Sequence, residues 1–419
     1  MNASTISTSL PIKGVKKLCK NMLFKLFEQV HYGSLCITDS EGTYAFKGRK
    51  DPNTVSAELT IKDPSCYTDM LLGGSIGAGE SYMSGDWTSP DTTNVIRFMS
   101  RNLNTVQRLD SGLALLSKPA QLAYHLSNRN TEKGSRRNIA AHYDLGNEMF
   151  KLFLDPTMMY SSAIFPHPVA SLQEASIYKL KRICQKLDLK PTDHLVEIGT
   201  GWGGMAVYAA SHYGCRVTTT TISQQQYDYA QEQIERANVG HLVTLLKEDY
   251  RNLVGKFDKL VSIEMIEAVG HQYYPDYFRT LGHLLKEDGL ALIQAITIDD
   301  KRYEKAKNNI DWIQRYIFPG ACLPSIKVLT EVSGRHSNLE LTHLEDITPH
   351  YAHTLKLWRE NFFRNIEAVR ELGYNEEFIR MWDYYFCYCE GGFAERVIGD
   401  VQMLFAKPLH RGSSVLGQL

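Results

Sequence analysis

The stretch that most constrains this chain is LVEI at 195–198, which runs straight into Gly199-Thr200-Gly201-Trp202-Gly203-Gly204 and then a helical pattern. A strand that ends in glycines and restarts as a helix brings backbone to one edge of a sheet, where a cofactor can approach it closely. The surroundings extend the reading. From about residue 190 the short apolar runs DHLVEIG, CRVTTTTI, LVTLLKE, KLVSIEM and LALIQAI alternate with helical patterns near 203–212, 223–238, 272–286 and 301–315. That alternation predicts a doubly wound, Rossmann-like α/β sheet. Helices near 351–372 and 375–390 and a last strand, RVIGDVQMLFAK, complete it.

The glycine spacing also satisfies the dinucleotide fingerprint, which calls for an acid at the end of the second strand to hold a ribose hydroxyl. Here that strand ends in Thr218 to Thr221 and Ile222-Ser223, with no acid. Acids stand elsewhere: Glu197 just before the turn, and Glu248 and Asp249 after the third strand. That distribution suits S-adenosylmethionine, whose sulfonium, ammonium and adenine amino groups all seek acceptors. Thr221 and Gln226 are neutral candidates for its ribose hydroxyls.

With 419 residues, a large α/β domain and a smaller one are expected. The 46 basic and 47 acidic side chains balance, which argues against general nucleic-acid binding. Eight scattered cysteines show no disulfide framework and point to a reducing compartment. The lone Cys387-x-Cys389 has no second ligand pair, so no metal is expected. No stretch approaches about 18 uncharged apolar residues, and a cytoplasmic protein without a membrane span is expected. Residues 13–30 place Leu18, Met22, Leu23, Leu26, Phe27 and Val30 at helical spacing among Lys13, Lys16, Lys17, Lys20 and Lys25. Such a basic amphipathic helix either packs on its own domain or lies on an anionic bilayer. The expected organisation is an α+β N-terminal domain over 1–126 that docks the enzyme on lipid, a polar linker over 127–138, and a catalytic domain over 139–419.

From residue 136 onward the sequence resembles the cyclopropane fatty acid synthase and mycolic acid cyclopropane synthase family. The resemblance rests on HYDLGNEMFKLFLDPTMMYSSAIF at 142–165, VEIGTGWGG at 196–204, TISQQQ at 221–226, EDYR at 248–251, SIEMIEAVG at 262–270 and YIFPGACLPS at 316–325. It implies a class I S-adenosylmethionine-dependent methyltransferase fold whose seventh strand is antiparallel. The implied cofactor contacts are Tyr160, Ser161, Gly199, Gly201, Thr221, Gln226, Glu248 and Asp249. It also implies a bicarbonate ion held by Ser162, Glu267, Gln294, the Ile296 backbone and Tyr351. The family form known best has cysteine at position 162 and histidine at 294, so the base site departs from the pattern.

The activity so implied adds a methylene unit across the double bond of an unsaturated acyl chain in phospholipid, on the inner face of a membrane. An alkene is a poor nucleophile, and positioning it can contribute about 7 to 11 kcal/mol. The resulting carbocation needs a dry pocket with aromatic faces. Tyr273, Tyr274, Tyr277, Tyr316, Phe318, Trp358, Phe362, Phe363, Tyr384, Tyr385 and Phe386 lie in segments expected to wall it, with Tyr316 and Tyr351 facing the reacting carbons. Ring closure then needs a base beside the new methyl. Glu267, after the fourth strand, is the expected organiser, with Glu264 close enough to exchange roles. Methyl- or methylene-branched products, a nicotinamide oxidoreductase and a non-catalytic lipid-binding protein remain as alternatives, and a homodimer is open.

Overall fold

A computed structural model describes residues 13–50, 54–105, 146–412 and 415. They divide into two compact units, one holding residues 13–105 with Gly373–Glu395 and the other residues 146–372 with 396–412. The linker expected at 127–138 lies outside the described residues.

In the first unit, α1 (Val15–Phe27) precedes β1 (Ser34–Asp39), β2 (Gly42–Lys47) and β3 (Ser56–Ile61). Then come α2 (Cys66–Ser84), β4 (Trp87–Thr88) and α3 (Thr92–Arg101). The sheet order is β2-β1-β3-β4, with β1 parallel to β3 and the other pairs antiparallel. Three of the four lysines of α1 are paired within the unit, and Lys25 is exposed. Lys20 is buried and reaches Asp39 at 2.7 Å, Glu41 at 2.9 Å and the Tyr44 hydroxyl at 3.1 Å, while Lys16 pairs with Asp63 and Lys17 with Glu41. A buried ammonium needs such partners, and three acceptors meet that need.

The second unit begins with α4 (Asn147–Lys151) and α5 (Leu172–Lys186), the latter opened by a reciprocal Ser171–Glu174 capping box. Strands and helices then alternate: β5 (His194–Ile198), α6 (Gly204–Tyr213), β6 (Arg216–Thr220), α7 (Gln224–Arg236), β7 (Val243–Leu246), β8 (Phe257–Ile263), α8 (Tyr274–Leu284) and β9 (Leu285–Ile298). After α9 (Asp300–Ala306), α10 (Trp312–Tyr316) and α11 (Ile326–His336) come β10 (Glu340–Asp346), α12 (Thr348–Arg364) and α13 (Ile366–Glu371). The long α14 (Glu376–Ala394) belongs to the first unit, and β11 (Ile398–Ala406) returns to the second. The seven-stranded sheet runs β10-β11-β9-β8-β5-β6-β7, with β11 antiparallel to both neighbours. This is a Rossmann-like sheet with the antiparallel last strand that the resemblance implies.

Its core follows the two-residue period of strands. Leu290 and Leu292 of β9 pack with Leu180 and Ile183 of α5 and Met205 and Ala209 of α6 on one face. Ala291, Ile293 and Ala295 pack with Phe278 and Leu281 of α8 and Leu329 of α11 on the other. Each fully buried aliphatic side chain contributes about 1.5–3 kcal/mol.

Three differences from the sequence reading have physical reasons. The helix expected over 301–315 is two, because Asp311 and Gln314 form a capping box that starts a new one. The helix expected over 351–372 breaks at Asn365, whose backbone leaves the helical region. Residues 373–395, placed by the sequence reading in the catalytic domain, pack instead on α2 and α3. There Glu395 takes Arg97 and Arg101 at 2.8 and 2.7 Å, and the Tyr82 hydroxyl donates to Asp383. The rings of Tyr384, Tyr385 and Phe386 therefore belong to the first unit's core, around Tyr82, Trp87 and Trp382.

Candidate active site

At the glycine turn, Gly199 and Gly201 hold φ of 99° and 53°, values that favour glycine. The N–H groups of Gly199 and Thr200 donate to the Thr220 carbonyl, which ties the turn to β6. A Cβ built on Gly201 would meet no atom within 4 Å, so that face of the turn is open to a ligand. Gly203 has a different task. Its φ is 92° and a Cβ there would lie 3.2 Å from Ala230, so it lets α6 start against α7.

Glu197 is buried beneath the turn, where the Thr219 hydroxyl donates to it at 2.6 Å. Burial pushes its carboxyl up to about 8. Thr219 in turn shares a hydrogen bond of 2.7 Å with Thr200. Thr221 donates to Gln226 at 2.9 Å at the head of α7. Glu248 accepts from the Asp249 N–H and the Asn252 amide, both at 2.9 Å, and Asp249 holds Arg251 through two bonds of 2.8 and 2.7 Å.

An aromatic box leads away from the turn. The Tyr160 ring stands 5.3 Å from Phe150, 6.0 Å from Phe153, 6.4 Å from Trp202, 6.2 Å from Phe318 and 5.3 Å from Trp358. Trp358 continues to Tyr351, 6.1 Å away and at nearly a right angle. Tyr316 sits on α10, its ring 5.5 Å from Trp312 and under the Arg315 guanidinium. Tyr274 and Tyr277 are buried with the α8 face of the sheet.

Beyond Tyr351 lies a cluster of acids at the C-terminal ends of β8 and β9, the edge where ligands bind in such sheets, with Glu267 and Asp400 buried and Glu264 half-buried. Its hub is Glu264. One carboxylate oxygen accepts from the Ser162 N–H at 2.9 Å and from the Gln294 amide at 2.7 Å, and the other accepts from the Tyr351 hydroxyl at 2.7 Å. Glu267 accepts from the Ile296 N–H at 2.5 Å, and its second oxygen is buried without a partner. Register explains the rest. Gln402 on β11 stands opposite Gln294 on β9 and donates to its carbonyl oxygen at 2.9 Å, so the Gln294 amide nitrogen must face the acids. That nitrogen also donates to Asp400 at 3.1 Å.

From α5, Lys179 is wholly buried and donates to the Ser161 hydroxyl at 2.5 Å. Burial lowers its ammonium to about 8, against the pull of Glu264, Asp400 and Asp155. Burial raises Glu264, which the Lys179 charge and its three donors oppose. Burial also raises Glu267, to about 8, and the nearby Glu264 charge adds to that. Asp400 is held well above the carboxylate range by burial and then by Glu264.

The structure thus brings together Ser162, Glu267, Gln294, Ile296 and Tyr351, with two changes of detail. Ser162 contributes its backbone N–H, since its hydroxyl donates to the Ala163 carbonyl at 3.0 Å. Glu264, rather than Glu267, gathers the donors. Sequence reasoning missed Lys179, Asp400 and Gln402. Asp400 left a signal, an acid inside the apolar run of the last strand, whereas Lys179 is one of several lysines in an amphipathic helix.

Residues 130–403 match the family described as mycolic acid cyclopropane synthetase. Among curated proteins, the chain is 38% identical over 363 residues to the tuberculostearic acid methyltransferase UfaA1 of Mycobacterium tuberculosis, covering 84% of this chain and 83% of that protein. It is 37% identical over 371 residues to the cyclopropane-fatty-acyl-phospholipid synthase of Escherichia coli K12, covering 86% and 90%. Among solved structures it is similar to the cyclopropane synthase MmaA2 of M. tuberculosis, with a TM-score of 0.60 at 30% identity, covering 65% of this chain and 98% of that one. The mycolic acid cyclopropane synthase CmaA1 complexed with SAH and CTAB matches with the same TM-score, identity and coverage.

Proposed function

This chain belongs to the mycolic acid cyclopropane synthetase family, and from that membership we propose that it converts the double bond of unsaturated acyl chains in membrane phospholipid into a cyclopropane. It is an S-adenosylmethionine-dependent methyltransferase. The observation that carries the reading is one continuous wall, from glycine turn through aromatic box to the acid cluster, within a chain that matches the family over most of its length.

The turn fits the cofactor: Gly201 leaves its face open, and Glu197, Thr221, Gln226 and Glu248 surround it with acceptors and hydroxyls. Asp249 is committed to Arg251 and reaches the cofactor less readily than the sequence suggested. Bound S-adenosylmethionine supplies an electrophilic methyl group. The chain's own residues do the rest. Tyr160, Phe153, Phe318 and Trp358 exclude water and present ring faces to a cationic acyl chain, each worth about 2 kcal/mol when desolvated. The acid cluster receives the proton whose loss closes the ring. A bicarbonate ion, which the family resemblance implies here, does not fit the residues present. Its expected donors already bond to Glu264 and Glu267, and no step is assigned to it.

A second reading, loss of the proton from a chain carbon to give a methyl- or methylene-branched product, is favoured by Gln294 standing where the resemblance places a histidine. One experiment separates them. The protein is incubated with monounsaturated phospholipid vesicles and methyl-deuterated S-adenosylmethionine, and acyl masses are read before and after mild hydrogenation. Loss of one deuterium with resistance to hydrogenation is the expected result. A labelled product that takes up hydrogen establishes the branched reading, and no labelled acyl chain refutes both.

For access to lipid, we propose that α1 rests on an anionic bilayer through Val15, Leu18 and Met22, which are 68%, 60% and 40% exposed, flanked by exposed Lys13 and Lys25. Serine at all three apolar positions should weaken flotation with anionic vesicles. Unchanged flotation would refute the docking role.

A further inference from the structure

The residues expected to surround a dissociable anion surround a side chain instead. We propose that the carboxylate of Glu264 takes the place of bicarbonate in this enzyme and is itself the base that accepts the proton during ring closure. The inference rests on the cyclopropanation reading above. In that step a C–H bond of the newly added methyl breaks, and its electron pair forms the bond to the cationic chain carbon. The proton passes to a carboxylate oxygen of Glu264, which returns it to water before the next turnover.

Three observations carry the proposal. The first is occupancy of the donors: the Ser162 N–H, the Gln294 amide and the Tyr351 hydroxyl all point at Glu264, and the Ile296 N–H is used by Glu267. A free anion would have to displace an attached carboxylate that is already bonded. The second is the backbone. Glu264 follows β8 with φ of 47°, a left-handed conformation that costs a side-chain-bearing residue about 1–2 kcal/mol and that glycine adopts freely. Its own N–H donates to the backbone carbonyl of Gln294 at 2.8 Å, so the strain is built in by the sheet register. A glutamate kept where the backbone favours glycine implies a use for its carboxylate. The third is charge. Lys179 is a buried cation whose charge acts on Glu264, Asp400 and Asp155, so it already faces more acids than it can balance. A bicarbonate beside Glu264 would bring a further negative charge into the same half-buried pocket, where the acids already outnumber the buried ammonium.

The test compares full-length wild type, Glu264→Gln and Glu264→Gly, each in carbonate-depleted buffer and with sodium bicarbonate. The glycine variant relieves the backbone strain and opens the space; the glutamine variant preserves shape and removes the base. Wild type should form product at a rate within about twofold with or without bicarbonate, and its Tm should not move. Glu264→Gln should lose about 100-fold or more in kcat while binding S-adenosylmethionine in a calorimeter within about threefold of wild type. Glu264→Gly should gain both Tm and product, about tenfold or more, when bicarbonate is added. Wild type that slows on carbonate depletion and recovers with bicarbonate, or that gains Tm from it, overturns the proposal. So does a Glu264→Gln enzyme with ordinary kcat. If wild type makes no labelled acyl product, the functional reading fails, and the Tm response of wild type against Glu264→Gly still reads where the anion sits.

Discussion

Replacing Tyr351 with phenylalanine tests the base through a residue that only positions it. The hydroxyl of buried Tyr351 donates to half-buried Glu264 at 2.7 Å, and a hydrogen bond to a charged group is worth about 1.5–3 kcal/mol. That bond favours the ionised carboxylate, so removing it raises the proton affinity of Glu264. At 1.36 kcal/mol per pH unit, the acid limb of kcat/KM should move upward by about one to two pH units. The sign follows from the role: a base works only when deprotonated, so activity is lost as pH falls, and the variant loses it at a higher pH. Well above the limb, kcat/KM should return near the wild-type value, because the hydroxyl itself receives nothing. The assay is kcat/KM for cyclopropane formation across pH 6 to 9.5, with S-adenosylmethionine saturating. A decrease of the same factor at every pH would refute the reasoning, since it would mean that Tyr351 acts on geometry alone.

Glu197→Gln should flatten the pH dependence of stability. In the wild type the carboxyl ionises near 4.5 when unfolded and near 8 when folded, so stability is lost as pH rises through that window, and differential scanning from pH 5 to 8 should show a shallower fall in Tm for the variant. Gly203→Ala should cost about 1–3 kcal/mol in urea unfolding, because φ of 92° and a contact of 3.2 Å to Ala230 both oppose a Cβ. Gln402→Leu should cost about 1–3 kcal/mol as well, since it strips the Gln294 carbonyl of a donor and Lys186 of an acceptor at 2.6 Å. It should also lower kcat, because a Gln294 amide free to rotate can turn its oxygen toward Glu264.

The sheet was legible because its signals are local. Strand runs, helix periodicity and the glycine turn each occupy a few consecutive residues, and the interleaving of β5 to β9 with helices marks a doubly wound sheet. Pairings set by packing were not legible. Nothing in the period of α14 says that its apolar face meets α2 and α3 rather than the sheet its neighbours serve. Nor does the spacing of the lysines in α1 show that Lys20 turns inward to Asp39 while Leu18 stays outside. The acid cluster lay between these limits. Glu264 and Glu267 share one motif, and only the left-handed turn at Glu264 decides which carboxylate points at Tyr351 and Gln294.

The same donors decide where the protons rest. Glu264 has three hydrogen-bond donors and the charge of Lys179 in its favour, while Glu267 has one N–H and a bare oxygen, and Asp400 has one amide and a bare oxygen. Desolvation acts on all three, so ionisation goes to the acid with most compensation, and Glu267 and Asp400 keep their protons near neutrality. The cluster then carries one negative charge against one buried ammonium. Such a pocket is polarised, with the negative end at Glu264 beside the Tyr351 ring and the positive end at Lys179 against Ser161. A cation forming on an acyl chain along the aromatic box meets the negative end first, and the same carboxylate that stabilises it is placed to take its proton.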